Sequence, residues 1–396
     1  MHVLLAVTTS TSPVRGRCPS VSGASSRLVV VQTPAGFTGW RKHSVPIDVV
    51  PDMKAISYSA TGDPSVLRLT ERDTPEPAAG EVRVRIEISG VNPTDWKSRH
   101  GGAPGEELPF PEVVPNQDGA GVIDAVGEGV TSVSVGDRVW LALAAFQLAA
   151  GGTAQEFSVL PAERVHPLPD SVSFEIGASL GVPAITAHRA LTVSEDGPSR
   201  LAPGALAGKT VLVAGGAGAV GHAAIQLARW AGATVVTTVS GPEKAALAAA
   251  AGAHHVVNYK EADAAARIRA IAPDGVDLIV EVAPAQNAAL NLAVIRNRGS
   301  IAVYANNGGD EVTLDVQRHF VLNIRYQFLL LYTVGQAEIS AAAQDIAAAL
   351  ADGALPVGAD AGLPLHFFDL VTTAAAHAAV EADTVGKVLI RVRAQD

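Results

Sequence analysis

Cysteine is almost absent from this chain of 396 residues. Cys18 is the only one, which excludes an intrachain disulfide and any metal site built on a cysteine cluster. Aromatic residues make up 5% and charged residues 17%, while 48% is hydrophobic and carried mostly by Ala and Val. That is the profile of a folded globular protein, not of a disordered one. Long apolar runs are missing too: the best, 328–331, falls far short of the roughly 18–20 residues a membrane-spanning helix needs, so no membrane span is expected. Basic charge is in deficit, with 39 acidic against 29 basic residues and a net charge of -10. Phosphate binding draws on a basic surface, so nucleic acid is not an expected partner. The length suffices for two domains.

Residues 1–52 lack any acid before Asp48 and carry Arg15, Arg17, Arg27, Arg41 and Lys42. The short apolar run at 3–7 has no basic residue ahead of it beyond His2, a poor match to a signal peptide. Three readings stay open: a mis-assigned start with the true beginning at Met53, a disordered extension, or an organelle-targeting segment. A cytoplasmic location is the expectation for the rest of the chain.

From Met53 the pattern is orderly. Segments 53–57 and 66–70 read as strands around the turn Thr61-Gly62-Asp63-Pro64. Segment 81–89 alternates, with Val82, Val84, Ile86 and Ile88 on one face and Arg83, Arg85 and Glu87 on the other, the mark of a half-buried strand. Further strands are expected at 121–126, 138–143 and 154–159, which together suggest a mostly antiparallel barrel. The period then changes. Strands at 209–215, 234–239, 255–258, 276–281 and 300–304 alternate with helices at 220–231, 242–251, 262–271 and 286–294, the signature of an α/β, doubly wound parallel sheet. The tail carries a helix at 374–380 and a strand at 387–392, expected to fold back onto the first domain. The organisation read here is 53–180, completed by 333–396, as one domain and 181–332 as the other.

The first strand of the α/β part, Val211-Leu212-Val213-Ala214, runs into Gly215-Gly216-Ala217-Gly218-Ala219-Val220-Gly221 and then a helix. In this reading Gly216 permits the tight turn, Gly218 lets a pyrophosphate approach the backbone, and Gly221 lets helix and strand pack closely. Ala217, Ala219 and Val220 complete the turn, and the helix N-terminus offers N–H groups to phosphate. A glycine pattern alone is weak in a chain with 38 glycines; the strand–turn–helix context makes it a dinucleotide site. An NAD site usually places an acid about 20 residues after the first glycine. Here the sequence is Thr237-Thr238-Val239-Ser240-Gly241, followed by Lys244. With a hydroxyl and an ammonium where a carboxylate would repel a 2′-phosphate, NADPH is the expected cofactor. Tyr259 and Lys260 could line the adenosine side, and the bland reading of Lys244 is a solvated helix-surface lysine.

At this point the chain resembles the medium-chain dehydrogenase/reductase superfamily, in its zinc-free quinone oxidoreductase and zeta-crystallin branch. The resemblance rests on Gly90-Val91-Asn92-Pro93, Gly119-Ala120-Gly121-Val122-Ile123, Val135-Gly136-Asp137-Arg138-Val139, Gly181-Val182-Pro183-Ala184-Ile185-Thr186-Ala187 and the glycine turn. It implies a Rossmann-type domain joined to a GroES-like barrel domain. Zinc alcohol dehydrogenases of the superfamily have cysteine where this chain has Asn92, and Gly-His-Glu where it has Asn116-Gln117-Asp118. Carboxamides are poor partners for Zn²⁺ beside thiolate and imidazole, so no metal is expected, and alcohol oxidation loses its Lewis acid.

The run Asn92-Pro93-Thr94-Asp95-Trp96-Lys97 resembles the enone and alkenal reductases of the branch, where such a segment borders the active site. Tyrosines that some bacterial quinone reductases place at Lys97 and near Ala103 are missing. The resemblance implies hydride transfer from NADPH to a quinone or enone. Lys97 is read as the group nearest the acceptor's oxygen, or else as a surface partner of Asp95 or Glu106. Asn92 is read as an amide donor or as a turn cap. Asp95 is read as orienting Lys97 or Arg99, and Thr186 as lying beside the nicotinamide, or else as bonded to its own helix. Trp140, Phe146, Tyr304 and Phe328 are candidate pocket walls. Two alternatives remain open, a redox-inactive NADPH-binding structural protein and a carrier-linked enoyl reductase. The apolar segment 323–332 is expected at a sheet edge that needs cover, and the resemblance implies that it pairs across a two-fold axis in a homodimer.

Overall fold

The computed structural model describes residues 53–101 and 107–393; the readings made of residues 1–52, and of positions 103 and 106, lie outside them. The chain opens with β1 (Met53–Ser57), β2 (Arg68–Arg72) and β3 (Glu81–Val91), then α1 (Pro93–His100). Strands β4 (Asp118–Val126), β5 (Arg138–Leu141), β6 (Phe157–Pro161) and β7 (Val165–Pro167) follow, then the helices α2 (Phe174–Gly177) and α3 (Gly181–Leu191). The α/β part runs β8 (Thr210–Ala214), α4 (Ala219–Trp230), β9 (Thr234–Val239), α5 (Pro242–Ala250), β10 (His255–Asn258) and α6 (Ala264–Ile271). It continues with β11 (Val276–Glu281), α7 (Pro284–Val294), β12 (Ile295–Val303), α8 (Val316–Val321) and β13 (Arg325–Phe328). The tail holds α9 (Gln336–Ala351), β14 (Leu365–Asp369), α10 (Thr373–Glu381) and β15 (Lys387–Arg391).

Six strands form one sheet in the order β10-β9-β8-β11-β12-β13, every neighbouring pair parallel. Counted within this sheet the order is 3-2-1-4-5-6. The direction of winding reverses between β8 and β11, and in open α/β sheets ligands bind outside the strand ends at such a point. The glycine turn follows β8 and therefore lies there. The strands are apolar because both faces are covered: Val211, Leu212, Val213, Val235, Val236, Ile279 and Val280 are at most 1% exposed.

The second sheet orders β14-β15-β3-β4-β5-β7, with β6 pairing β3. It is antiparallel except for the parallel pair β14–β15. The alternation read in β3 is realised: Val82, Val84, Ile86 and Ile88 are buried while the charged residues between them are half-buried. β15 pairs β3, and α10 packs beside α1, so the tail supplies a strand and a helix to this sheet. Helix α9 packs on α3, and its Ile339, Ala342, Ala343 and Ile346 share a core with the helices and strands of the parallel sheet.

Helix α1 is absent from the sequence reading, which names a turn only as one use of Asn92. Asn92 is its N-cap, Pro93 occupies its first position and Asp95 its third. Proline is favoured at that first position because its missing N–H has no helical partner to lose.

Candidate active site

Gly215 alone carries the left-handed conformation in the glycine turn, at φ 72°. The sequence reading gave the tight turn to Gly216, and the structure moves that role one residue back. Gly216 is needed for a different reason: a Cβ there would sit 2.2 Å from Thr237 Oγ1, which donates to Val213 O. Gly221 lies under the turn, where a Cβ would come within 2.4 Å of Gly215 O. Gly218 differs from both. It has ordinary extended angles, φ -84° and ψ 160°, and a Cβ there would meet nothing closer than Gly215 O at 3.5 Å. Among the described residues no contact asks for glycine at that position. Gly218 is also the N-cap of α4 and brings no side chain to the first N–H groups of the helix, which take no side-chain cap among the described residues. Ala217 is buried beneath the turn, and Ala219 and Val220 form the helix's first positions.

Beyond β9 the backbone brings the next candidates together. Tyr259 N–H donates to Val239 O at 3.0 Å, placing Tyr259 beside Ser240 at the ends of adjacent strands. Ser240 is half-buried, while Tyr259 and Lys260 are exposed, as is Lys244 in the first turn of α5. Thr237 and Thr238 are buried, so Ser240 is the first side chain past the strand that is open to a ligand.

The second cluster forms where α1 meets the loop leading into β4. Asp95, 3% exposed, accepts Asn92 N–H at 2.7 Å and Gln117 N–H at 3.0 Å, tying the two segments together. Burial and the nearby Asp118 carboxylate push its carboxyl up to about 7, against the pull of those two donors. Asn92 Nδ2 donates to Asp118 Oδ2 at 2.7 Å, and Lys387 Nζ donates to Asn92 Oδ1 at 2.7 Å. Lys387 Nζ also pairs with Asp118 Oδ2 at 3.2 Å, both side chains being at most 1% exposed. Asp118 Oδ1 accepts Val182 N–H at the start of α3. Behind them Asn116, at φ 78°, bonds His377 Nε2 and Ser89 Oγ at 2.9 Å each, which holds an otherwise unfavourable backbone angle.

Among the described residues Asp95 makes no ion pair or side-chain hydrogen bond with Lys97 or Arg99; its carboxylate is taken by the two backbone N–H groups. Arg99 is buried and donates to Gly62 O and Glu381. Lys97 is exposed, its Nζ lies 5.9 Å from the Trp96 ring centre, and it makes no ion pair among the described residues. Thr186 is 6% exposed and, among the described residues, makes no hydrogen bond to its own helix; Thr192, by contrast, donates to His188 O. Of the expected walls, Trp140 is plain core, its ring tilted 44° against that of His166 with centres 4.4 Å apart. Phe328 is 61% exposed at the sheet edge. Phe146 packs on Tyr332, whose hydroxyl donates to Thr94 Oγ1 on α1 at 2.8 Å. Tyr332 was not singled out from sequence, and neither was Lys387. The signal for Lys387 was a lysine opening the apolar run Lys387-Val388-Leu389-Ile390, since lysines are almost never fully buried unless paired. Gly177-Ala178-Ser179-Leu180-Gly181 has the spacing of a nucleophile elbow, but it joins two helices and Ser179 Oγ donates to Glu175 O.

Two family models match the chain, the alcohol dehydrogenase GroES-like domain over residues 78–170 and the zinc-binding dehydrogenase over 219–348. A rat (Rattus norvegicus) quinone oxidoreductase is 36% identical over 262 residues, which is 66% of this chain and 75% of the relative. The chain belongs to the medium-chain dehydrogenase/reductase superfamily, in its zinc-free quinone-oxidoreductase branch. A mycobacterial member solved in complex with NADPH is 32% identical, with a TM-score of 0.70 over 86% of this chain and 100% of that one. The Escherichia coli quinone oxidoreductase, also solved with NADPH, is 25% identical at the same TM-score and coverage.

The zinc in one model's name does not fit the residues present. Asn92 and Gln117 offer carboxamides, and the Lys387 ammonium stands against Asn92 Oδ1 and Asp118 Oδ2, where a dication would meet a buried positive charge. Among the described residues no three His, Cys, Asp or Glu side chains gather in a metal-binding group, and no helix is long and apolar enough to cross a membrane.

Proposed function

We propose that this chain is an NADPH-dependent oxidoreductase that reduces quinones, or other activated carbonyl and alkene acceptors, by hydride transfer without zinc. The observation that carries the reading is the space beside Gly218 at the winding reversal, in front of the uncapped N-terminus of α4. A pyrophosphate fits that cradle, where backbone N–H groups and the helix dipole favour negative charge. NADPH supplies the hydride from its nicotinamide ring. Gly216, Ala217, Gly218, Ala219, Val220 and Gly221 hold the pyrophosphate, Ser240 and Lys244 bind the 2′-phosphate, and Tyr259 borders the adenosine. Thr186, with its hydroxyl free of its own helix, lies beside the nicotinamide. Asn92 and Lys97 stabilise charge that develops on the acceptor's oxygen, and Asp95 positions Asn92 against Gln117.

The Asn92–Lys97 run favours an enone or alkenal as the second acceptor class. The domain division proposed is 53–180 with the chain after 351, and 181–332 with α9. A homodimer is proposed through β13, an edge strand that ends in the exposed Phe328 and is followed by the exposed Leu330; light scattering of the purified protein tests it. The proposed location is the cytoplasm. The deciding assay follows absorbance at 340 nm with NADPH or NADH against a panel of quinones, short enones and alkenals. Turnover with at least one acceptor and a preference for NADPH are expected. Absence of turnover refutes the reductase reading and leaves an NADPH-binding protein without redox activity.

A further inference from the structure

Lys387 opens β15 yet is 1% exposed. Its Nζ, the Asn92 carboxamide and Asp118 Oδ2 close a ring of three contacts at 2.7, 2.7 and 3.2 Å. The ring dictates how the Asn92 amide faces. In the reverse orientation the NH₂ group would meet the ammonium and the carbonyl oxygen would meet the carboxylate, two repulsive contacts among side chains at most 2% exposed. The Asn92 carbonyl is thus engaged, and one Nδ2 hydrogen is engaged by Asp118. What Asn92 retains for a ligand is its second N–H.

Asp118 links the ring to α3. Its Oδ1 accepts Val182 N–H at 2.7 Å, in the first turn of the helix that carries Thr186. The carboxylate lies so close that a Cβ on Gly181 would sit 2.1 Å from it.

We propose that Lys387 is a positioning residue of the reductase site, which acts with Asp118 to lock Asn92 as a hydrogen-bond donor toward the acceptor's oxygen. This rests on the hydride-transfer reading above. As negative charge develops on that oxygen, the Asn92 N–H bond to it strengthens; Asn92 gives up no proton, and the oxygen takes its proton from water. Lys387 touches neither substrate nor cofactor and works through the orientation of Asn92 alone.

The test uses the full chain. Lys387→Met leaves Asp118 buried and unpaired and can fail to fold, so the informative variant is Lys387→Met with Asp118→Asn, which removes both charges together and frees the amide to turn. Circular dichroism confirms folding, nicotinamide fluorescence gives the NADPH Kd, and steady-state turnover of 1,4-benzoquinone and of a short enone gives kcat and KM. The expected result is an NADPH Kd within about twofold of the parent, a kcat lowered about tenfold or more, and a smaller change in acceptor KM. The same pair of changes made in an Asn92→Ala background should lower kcat by less than about twofold, because the donor they orient is already gone. A folded double variant with parental kcat overturns the role of Lys387 alone, as does a full multiplicative loss in the Asn92→Ala background. A parent protein that binds NADPH but reduces neither acceptor overturns the reductase reading, and this role with it.

Discussion

Gly218→Ala separates the two reasons a glycine can be needed in the turn. In the protein alone the change is close to neutral. The backbone at φ -84° and ψ 160° suits any residue, and the new methyl would touch only Gly215 O at 3.5 Å. Alanine is a poorer N-cap than glycine by up to about 1 kcal/mol, while the stiffer unfolded chain returns about 0.4–1 kcal/mol. The net stability change should stay within about 1 kcal/mol. With the cofactor bound, the methyl projects into the space assigned to the pyrophosphate. Displacing that group costs one charge-assisted hydrogen bond at about 1.5–3 kcal/mol, so the NADPH Kd should rise between about tenfold and about a hundredfold or slightly more. Gly221→Ala is the comparator. Its Cβ would lie 2.4 Å from Gly215 O and 3.0 Å from Gly216 Cα, so backbone must move, at about 1–3 kcal/mol of stability without any ligand present. Urea unfolding and NADPH fluorescence titration on both variants give the answer. Parental affinity in Gly218→Ala, or a stability loss there equal to that of Gly221→Ala, would refute the reasoning.

Ser240→Asp should raise the NADPH Kd about tenfold or more and leave NADH binding within about threefold, because a carboxylate at this half-buried position repels a 2′-phosphate; equal effects on both cofactors would place the adenosine elsewhere. Lys97→Ala should lower kcat/KM for quinone or enone about tenfold with an unchanged unfolding midpoint, since the side chain is exposed and makes no ion pair among the described residues; unchanged kinetics would remove Lys97 from the site. Stability should also depend on pH. Burial holds His166 and His222 at about 4 and His377 at about 3, so between pH 6.5 and 4 these three take up protons when the chain unfolds but not when it is folded, and stability is lost as pH falls. Asp95, raised to about 7, acts in the opposite sense, since its contribution is lost as pH rises from about 4 through 7. The surplus of two protons gives a fall of roughly 2–3 kcal/mol per pH unit from about 6 to 4.5, and urea midpoints that stay level over that range would contradict it.

Local pattern sufficed where a segment's environment is uniform along its length. The strands at 234–239, 255–258 and 276–281 have the expected bounds, because each is an apolar run closed by a turn. It failed where the decisive partner lies far off in sequence. α1 was written in local residues, Asn92, Pro93 and Asp95 at the cap, first and third positions, and was missed because asparagine before proline also serves turns. β14 depends on β15 for its pairing, and nothing in residues 365–369 announces that.

The sequence by itself determined that a dinucleotide turn follows the first parallel strand, that no acid waits at the tip of the second, and that carboxamides stand where zinc ligands would be. These are matters of residue type and short spacing, which the chain displays directly. Only the tertiary structure decided which glycine carries the left-handed angle, that Asp95 binds backbone N–H groups instead of a lysine, and that Lys387 meets Asn92 across 295 residues. Those outcomes depend on which buried polar groups are brought together, and a buried charge or amide takes whatever partner the packing offers it.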